Sequence, residues 1–422
     1  MFLAACSSDY FLDVPVFGDD SIIDDTQKLN DAQMYSIEGI YLVTEGQSRF
    51  GDTLVIKHSD DKFSIFGIKN GIYAILDLGH LDSVIIFEGY WRESRTTATG
   101  LLRLNIRKDE GGRAIMEGDT LAPIIISGTY GQEGNLPNKT VKLKLLKRFT
   151  QKVRNDKFYI VGHRGGGRSS DKLPHSENCP AMFGWSKYLG CNGIEIDIWL
   201  TKDKIPVLYH DSKLNIRLIQ KSPIYGPIKN YTYKQLVTFV KLLHGERLPT
   251  LRESLEFVLN RTEIKFVWLD MKEAEAVEVT HKIQKDILER AEAMGRDLHI
   301  YMGMPSEDVY NAVKKYKQDN PDDKPFPTLC ELDPEYLWDI NADTWGPRWT
   351  MGRQEDVVRQ MHDKANNPIK KYVNCLVWTL DMPVFIEQYV SQGVDDPAVR
   401  FDGILTNYPT IVAYYYYLRY ND

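Results

Sequence analysis

The stretch GIEIDIWL at residues 193–200 alternates isoleucines with two carboxylates, and it decides how the second half of the chain is interpreted. Alternate residues of a strand point to opposite faces, so Glu195 and Asp197 share the face that the isoleucines leave. Three further apolar runs end in charged or imidazole side chains: FYIVGHRGG at 158–166, IPVLYHD at 205–211 and FVWLDMK at 266–272. Such strand ends are typical of a parallel barrel, where they converge on one mouth.

Strand-like and helix-like stretches alternate after Phe158, which indicates a parallel sheet covered by helices. Eight strands within residues 151–422 match the size of a (β/α)8 TIM barrel, and we predict this fold for the region. The predicted strands are 158–164, 193–200, 206–210, 265–271, 298–303, 326–331 or 341–347, 373–379 and 401–406. The predicted helices are 177–189, 248–260, 276–294, 306–317, 353–365 and 383–391, with one more in the long connection 211–247.

Residues 34–150 show the period-two alternation of antiparallel strands, separated by turn signals such as DD at 60–61 and NG at 70–71. About eight short strands favour a closed antiparallel barrel, with a two-sheet sandwich as the alternative. No cluster of catalytic residue types lies in this all-β domain, so we expect a binding or spacer role. The polar stretch 150–157 marks the predicted boundary, which gives the TIM barrel residues 151–422.

The first residues predict an exported protein. Leu3-Ala4-Ala5-Cys6 resembles the lipobox of bacterial lipoproteins, in which cleavage before the cysteine leaves a lipidated N-terminus, but the signal segment before it is truncated. An acidic, serine-rich tether completes residues 1–33. We therefore expect a lipoprotein of the bacterial cell envelope, periplasmic or on the outer membrane or surface, held to the membrane only through Cys6. A chance LAAC is the alternative.

Bulk properties exclude several kinds of partner. The formal net charge of −7 argues against a nucleic-acid partner held by phosphate attraction. No apolar run is long enough to span a membrane, and the sequence does not fix the oligomeric state. The remaining cysteines form no CxxC pair and no zinc-ligand spacing, so we expect buried free thiols at Cys179, Cys191, Cys330 and Cys375.

Three carboxylates on neighbouring strand ends predict a metal site. Glu195, Asp197 and Asp270 repel one another by a few kcal/mol per pair at an effective dielectric of about 20, and a bound divalent cation removes that cost. An all-oxygen ligand set indicates a hard cation, Mg²⁺ or Ca²⁺. Structural ion pairs with Arg164 and Lys272 are the alternative.

The two histidines at these ends favour catalysis over packing. Cleavage of a phosphodiester needs a base for the nucleophile and an acid for the leaving alkoxide, and His163 and His210 can serve as either near neutral pH. Arg164 and Lys272 can neutralise the phosphoryl oxygens. The turn GHRGGG at 162–167 is neither GxGxxG nor a P-loop, so its glycines are expected to let a loop pass close to substrate.

Seven ordered motifs resemble the glycerophosphodiester phosphodiesterases and together cover about Phe158 to the C-terminus. They are VGHRGGG (161–167), SEN (176–178), GIEIDIWLTKDKIPVLYHD (193–211), LPTLRESL (248–255), WLDMK (268–272), VWTLD (377–381) and FDGILTNYP (401–409). The resemblance implies a TIM barrel, one divalent cation, and hydrolysis of glycerophosphodiesters to glycerol 3-phosphate and an alcohol.

The resemblance also implies a role for each matching residue. The acid–base pair would be His163 and His210. The metal ligands would be Glu195, Asp197 and Asp270. The substrate contacts would be Arg164, Glu177, Lys272 and Trp378.

Five features depart from the family's pattern. Ser176 replaces the proline of the PENT stretch, Asp270 stands where glutamate is usual, and Asn407 replaces the aspartate of TDxP. The insertion between HRG and SEN is long, and the all-β domain lies outside the family's core.

The sequence thus predicts a metal-dependent phosphodiesterase that acts on a small phosphodiester. A neighbouring substrate hydroxyl attacks phosphorus first and gives a cyclic phosphate, or water attacks directly. A phospholipase D acting on lysophospholipids or sphingomyelin is the alternative within the same fold. A catalytically inactive glycan- or lipid-binding lipoprotein is the alternative from another class.

Overall fold

The computed structural model describes residues 12–419, which form two compact units. The β unit comprises Asp13–Asp156, Tyr188–Gly190 and residues 410–419, and the α/β unit comprises Lys157–Lys187 and Cys191–Pro409. The division after Asp156 falls in the polar stretch named above, whereas residues 410–419 group with the β unit and not with the α/β unit. Cys6 lies outside the described residues, and no helix in the described part is long and apolar enough to cross a membrane.

The β unit is built on a closed barrel of eight antiparallel strands in consecutive order, which confirms the predicted barrel and not the sandwich. The strands are β1 Gly39–Glu45, β2 Thr53–Ser59, β3 Lys62–Gly67, β4 Ile72–Leu81, β5 Val84–Glu93, β6 Thr99–Ile106, β7 Ile125–Tyr130 and β8 Lys139–Arg148. The short helices are α1 Asp31–Ile37, α2 Gln47–Phe50, α3 Gly112–Met116 and α4 Gln151–Asn155.

Aliphatic and aromatic side chains fill the interior of this barrel. Phe63 and Phe87 meet edge to face at 5.6 Å between ring centroids. The side chains around the centre, all buried, are Ile56, Phe63, Ile65, Leu76, Phe87, Leu104 and Ile126. Eight strands give an interior just wide enough for side chains to fill. The centre of this barrel is therefore a packed core and not a ligand chamber.

Two later segments of the chain complete the β unit. The Ser64 hydroxyl donates to the backbone oxygen of Tyr188 at 2.8 Å. The last helix, α13 Pro409–Arg419, stacks Tyr417 on Phe149 at 4.6 Å between ring centroids. Tyr416 of the same helix donates its hydroxyl to the Asp156 carboxylate at 2.6 Å. The outer wall of the barrel is thus covered by residues that follow it in sequence.

The α/β unit contains eight parallel strands that close on one another, as predicted for a TIM barrel. They are β9 Tyr159–Gly162, β10 Gly193–Leu200, β14 Phe266–Met271, β15 His299–Met304, β16 Thr328–Cys330, β17 Thr344–Trp345, β18 Asn374–Val377 and β19 Gly403–Thr406. Three short strands lie outside the ring: β11 Pro206–Leu208, β12 Lys213–Leu214 and β13 Gly226–Pro227. The other helices are α5 Pro180–Ser186, α6 Tyr233–Phe239, α7 Leu251–Arg261, α8 Val277–Ala293, α9 Glu307–Asp319, α10 Pro334–Ile340, α11 Glu355–His362 and α12 Pro383–Ser391.

Two strand predictions need correction. The prediction of 206–210 as a barrel strand was wrong, because β11 runs antiparallel to β10 and folds back along it. The segments 326–331 and 341–347 were alternatives for one strand, yet β16 and β17 both form and pair in parallel. Both are so short that neither carries a period-two signal of its own. The predicted total of eight barrel strands still agrees with the structure. The one segment wrongly predicted as a barrel strand is offset by the one barrel strand that the prediction left out.

A simple register rule places the mouth of this barrel. The apolar cluster in its interior consists of Val161, Phe266, Trp268, Tyr301, Leu329, Leu376 and Leu405. Residues two positions along a strand point to the same face. The residues two positions beyond five of these members therefore point inward at the C-terminal mouth, and they are His163, Asp270, Glu331, Trp378 and Asn407.

Candidate active site

The turn after β9 brings His163 and Arg164 to the mouth. Arg164 adopts the left-handed conformation (φ 53°, ψ 33°), which is uncommon for a residue with a side chain and costs energy. Its backbone N–H donates to Glu195 Oε2 at 2.8 Å, which holds the turn against β10. A Cβ on Gly165 would approach a ring carbon of Phe183 to 2.4 Å, so the close passage of this turn requires glycine.

The three predicted metal ligands lie together. Asp197 of β10 and Asp270 of β14 are direct partners in the parallel ladder, and Glu195 lies two residues before Asp197 on the same face. Their ligand oxygens all lie within 4.8 Å of one another. Glu195 and Asp197 are only 2% and 0% exposed. The structure thus collects three carboxylates at one point of the mouth, two of them buried and the third, Asp270, partly exposed.

Lys272 partly offsets this negative charge. Its ammonium lies 2.7 Å from Asp197 Oδ1 and also bonds Asp270. Burial opposes ionisation of Asp197, but Lys272 outweighs it and lowers the pKa of this carboxyl to about 2. Burial and the neighbouring Asp197 and Asp270 raise the pKa of Glu195 well above its ordinary value. The single positive charge of Lys272 therefore offsets only part of the negative charge of the three carboxylates.

Unbonded oxygens at this point fit a cation. Glu195 Oε1 and Asp270 Oδ1 are buried, and neither has a hydrogen-bond partner among the described residues. An unpaired buried carboxylate oxygen is costly, and a divalent cation with oxygen ligands relieves the cost. The donor set present therefore fits the divalent cation that the sequence predicted.

Both histidines direct the same nitrogen to the mouth. His210 Nδ1 lies 2.7 Å from Asp211 Oδ1, and because a carboxylate only accepts, Nδ1 carries the proton. His163 Nδ1 lies 2.8 Å from Asn407 Oδ1. The amide of Asn407 donates to Asp381 at 2.6 Å, which leaves its oxygen to accept from His163. Nε2 of each ring is therefore the nitrogen that Asp211 and Asn407 leave unoccupied.

The surroundings of the two rings differ. His163 lies 3.7 Å from Glu195, and burial with the adjacent Arg164 lowers its pKa to about 4. His210 instead faces the anionic Asp211, whose pKa is lowered despite burial by hydrogen bonds from Arg217 and His210. The ring centroids are 6.5 Å apart and the planes are nearly perpendicular. His163 thus favours the neutral form, whereas His210 lies beside an anionic carboxylate.

The predicted substrate contacts lie in different settings. Arg164 is buried and pairs with Glu177 at 2.8 Å, and Glu177 also accepts from the backbone N–H of Ser169 at 2.7 Å. Glu177 is therefore held between the Arg164 guanidinium and the Ser169 N–H. Trp378 follows β18 and donates its indole N–H to the backbone oxygen of Gly346 at 2.7 Å. These roles remain predictions.

Several site residues were missed by the sequence interpretation. Asn178 brackets Asp197, because its amide donates to the carboxylate at 2.7 Å and its oxygen accepts the Asp197 N–H at 3.1 Å. Glu331 follows β16 and accepts from the Trp268 indole at 3.1 Å. Burial and Asp270 raise the pKa of Glu331 well above its ordinary value, although Lys272 and Arg348 oppose this. The SEN motif contained Asn178, but nothing marked Glu331, because its strand was uncertain.

A second group of metal-binding residue types needs no ion. His362, Cys375 and Asp402 offer ligand atoms within 4.8 Å of one another. The Asp402 carboxylate already accepts from Tyr372 at 2.7 Å and from the Cys375 backbone N–H at 2.7 Å, and it contacts His362 at 3.0 Å. Asp402 and Cys375 lie at the N-terminal ends of β19 and β18, the end of a TIM barrel associated with stability.

The Glycerophosphoryl diester phosphodiesterase family matches residues 163–410, which is more than half of the chain. The chain belongs to this family. The matched region begins at His163 and includes the three carboxylates and His210.

Individual relatives are distant. A glycerophosphodiester phosphodiesterase of Caldanaerobacter subterraneus subsp. tengcongensis is 32% identical over 108 residues, which are 24% of this chain and 41% of the relative. Human glycerophosphodiester phosphodiesterase 1 is 27% identical over 142 residues, 32% of this chain and 39% of the relative. A crystal structure of a glycerophosphodiester phosphodiesterase from Parabacteroides distasonis superimposes with a TM-score of 0.42 at 20% identity, covering 60% of this chain and 94% of that chain. The chain spans about two fifths of the length of these first two relatives.

Proposed function

We propose that this chain hydrolyses glycerophosphodiesters to glycerol 3-phosphate and an alcohol, with a divalent cation at the three carboxylates. The observation that carries the proposal is the set of Glu195, Asp197 and Asp270 within 4.8 Å, with buried unbonded oxygens, beside two histidines. Membership of the family supports the substrate class. Ca²⁺ and Mg²⁺ both suit oxygen ligands.

The surroundings of the histidines divide their duties. His163, neutral beside Asn407, takes the proton of the attacking group on Nε2. His210, whose Nδ1–H is bonded to Asp211, gives a proton from Nε2 to the leaving alkoxide. The nucleophile is a neighbouring substrate hydroxyl, which gives a cyclic phosphate that water then opens. Positioned acid–base groups of this kind contribute roughly 10²–10⁴-fold in rate.

Charge neutralisation at phosphorus is the second contribution. A bound cation would be held by Glu195, Asp197 and Asp270 and would supply Lewis-acid stabilisation of the phosphoryl oxygens. Once that cation offsets the carboxylates, the Lys272 ammonium is available to a phosphoryl oxygen. Arg164 stays fixed by Glu177 at 2.8 Å and adds a preorganised positive charge.

A turnover screen tests this proposal. The full chain is incubated with glycerophosphodiesters or with lysophospholipids and sphingomyelin, in chelator, Mg²⁺ or Ca²⁺, and products are read by phosphorus NMR. We expect glycerol 3-phosphate from the first group, loss of turnover in chelator and recovery with a cation. His210→Ala should lose roughly 10²–10⁴ in rate, while His299→Ala, at a ring 47% exposed, should not. Faster turnover of lysophospholipids would favour the phospholipase D alternative, and no turnover at all would overturn the enzyme proposal.

We also propose attachment to the bacterial cell envelope through Cys6. The support is the LAAC sequence followed by an acidic, serine-rich segment. In a bacterial host the full precursor should partition with membranes, and Cys6→Ser should release it. Equal partitioning of the two forms would make LAAC a coincidence.

A further inference from the structure

Glu331 is a carboxylate at the mouth to which the proposed reaction gives no task. It follows β16 directly, and its backbone N–H donates to Met304 of β15 at 3.3 Å, which continues the ladder. Leu329, two residues earlier, belongs to the interior cluster of the barrel. The side chain of Glu331 therefore points inward, on the strand ends across the mouth from the histidines of β9 and β11.

One oxygen of this carboxylate is fixed and the other is available. Oε1 accepts from Trp268 Nε1 at 3.1 Å. No ion pair within 4.0 Å involves Glu331 in residues 12–419, and the structure gives Oε2 no hydrogen bond there. A Cβ on Gly303 would approach Trp268 Nε1 to 2.8 Å and Glu331 Oε1 to 3.0 Å. The absence of a side chain at Gly303 thus preserves the bond that orients Glu331.

Nearby charges decide what kind of group suits the available oxygen. Asp270 is the nearby charge that acts most strongly on the Glu331 carboxyl, and Lys272 and Arg348 act on it in the opposite sense. The exposed Arg348 places its guanidinium over the Trp378 ring at 4.8 Å, and no ion pair satisfies it in residues 12–419. With Asp270 offset by the proposed metal ion, these two cations would repel a quaternary ammonium group. A neutral hydroxyl meets no such repulsion, and it can donate to a carboxylate and accept from a guanidinium.

We propose that Glu331 is a specificity-determining residue, whose free carboxylate oxygen accepts a hydrogen bond from a hydroxyl group of the alcohol part of the phosphodiester. The inference rests on the proposed function and adds the group that this side of the mouth recognises. A site that hydrogen-bonds a substrate hydroxyl rejects the analogue that lacks it, because the polar group of the site is then left unpaired.

Deoxy substrates test this role. Glycerophosphoglycerol is compared with glycerophosphopropanol, which lacks the hydroxyls of the leaving alcohol, and with the analogue that is 1-deoxy in the retained glycerol, which keeps the C2 hydroxyl that attacks phosphorus. Glu331→Ala should lower kcat/KM for glycerophosphoglycerol by roughly tenfold to a hundredfold. Glu331→Ala should change kcat/KM by no more than about twofold for the analogue that lacks the hydroxyl bound by Glu331, because that substrate has no contact left to lose. That analogue identifies which alcohol Glu331 holds.

A second variant and a surface control separate recognition from folding. Glu331→Gln keeps the shape and an acceptor oxygen, so it should fold and show the same substrate order with a smaller loss. Glu335→Gln, on the exposed surface of α10, should match the wild type on all three substrates. Equal losses on all three substrates in both Glu331 variants would overturn the proposal and leave the proposed function intact. Failure of the wild type on every substrate would instead overturn the proposed function.

Discussion

At the level of single residues, the partner of each histidine Nδ1 sets which nitrogen faces the substrate. Asp211 performs this task for His210 and is itself bonded by Arg217, whose guanidinium reaches it at 2.6 Å. Arg217 belongs to the long connection 211–247. The orientation of His210, the proposed general acid, thus depends on a segment outside the ring of parallel strands.

Replacing Asp211 with asparagine should impair catalysis without unfolding the protein. The new amide can donate to Nδ1 and so favour the tautomer with the proton on Nε2 in the neutral ring, and it removes the anion that stabilises the imidazolium. Steady-state kinetics should show a fall in kcat of roughly 10²–10⁴. Arg217→Gln keeps Asp211 and should lose much less. An Asp211→Asn enzyme with near wild-type kcat would contradict the assignment of His210 as acid.

The lowered pKa of His163 predicts a pH-dependent stability. Burial and Arg164 lower this pKa from 6.5 to about 4, so between these values the unfolded chain binds more protons than the folded one. The stabilisation is complete above pH 6.5 and is lost as the pH falls toward 4, with a total on the order of 3 kcal/mol. Melting curves in chelator should show a shallower decline over this window for His163→Asn. Parallel curves for variant and wild type would contradict the prediction.

Most of the site could be predicted at the residue scale, because reactive side chains followed strongly alternating strands. Glu195 and Asp197 lie in an eight-residue strand, and its alternating isoleucines indicate which face packs against the helices. Glu331 could not be predicted, because its strand has three residues and is followed by Asp333 and Pro334, which indicate a loop. Glu331 is recognised as a mouth residue by counting two positions on from Leu329 of the interior cluster. That cluster is known only once the fold is known.

At the level of elements, the long connection 211–247 explains one departure from the family's pattern. Ser176 donates its backbone N–H to Glu246 at 3.2 Å and its hydroxyl to the same carboxylate at 2.7 Å. Its hydroxyl oxygen also accepts the His244 N–H at 3.0 Å. Proline, which the family has here, supplies neither donor. The serine and the connection therefore depend on each other.

Restoring proline at this position should destabilise the α/β unit. Ser176→Pro removes both donors to Glu246 in a residue only 1% exposed, whereas Ser176→Ala removes only the hydroxyl. Urea titration should show a loss of about 1–3 kcal/mol for alanine and a larger loss for proline. Thr238→Ala, on the exposed surface of α6, serves as a control within the same connection. Equal stability of the alanine and proline variants would show that the backbone N–H contributes nothing.

The path of His210 to the mouth could not be predicted from the strand pattern. IPVLYHD has the composition of a barrel strand, but a short turn after β10 lets β11 pair antiparallel with it. The backbone N–H of Tyr209 donates to Asp197 O at 3.1 Å, which sets His210 beside the carboxylates. The prediction that His210 lies at the mouth depends on this return and not on convergence of parallel strands.

At the scale of the whole molecule, the β unit depends on α13. Phe149→Ala removes a buried ring that stacks on Tyr417 and should destabilise the β unit by about 3–5 kcal/mol. Differential scanning calorimetry should show its transition at lower temperature. Leu136→Ala, at a side chain 56% exposed, should leave the melting profile unchanged. An unchanged profile for Phe149→Ala would mean that α13 contributes no stability to the β unit.

The composition of the β unit has a consequence for protein synthesis. Its barrel strands are complete at Arg148, but the helix that covers them begins only at Pro409. At about 5–20 residues per second, the ribosome needs roughly 10–50 s to make the chain between Asp156 and Thr410. During that time the nascent barrel exposes apolar wall that has no cover. A chaperone that holds exposed apolar surface should therefore bind nascent chains stalled near residue 300 far better than chains released after α13.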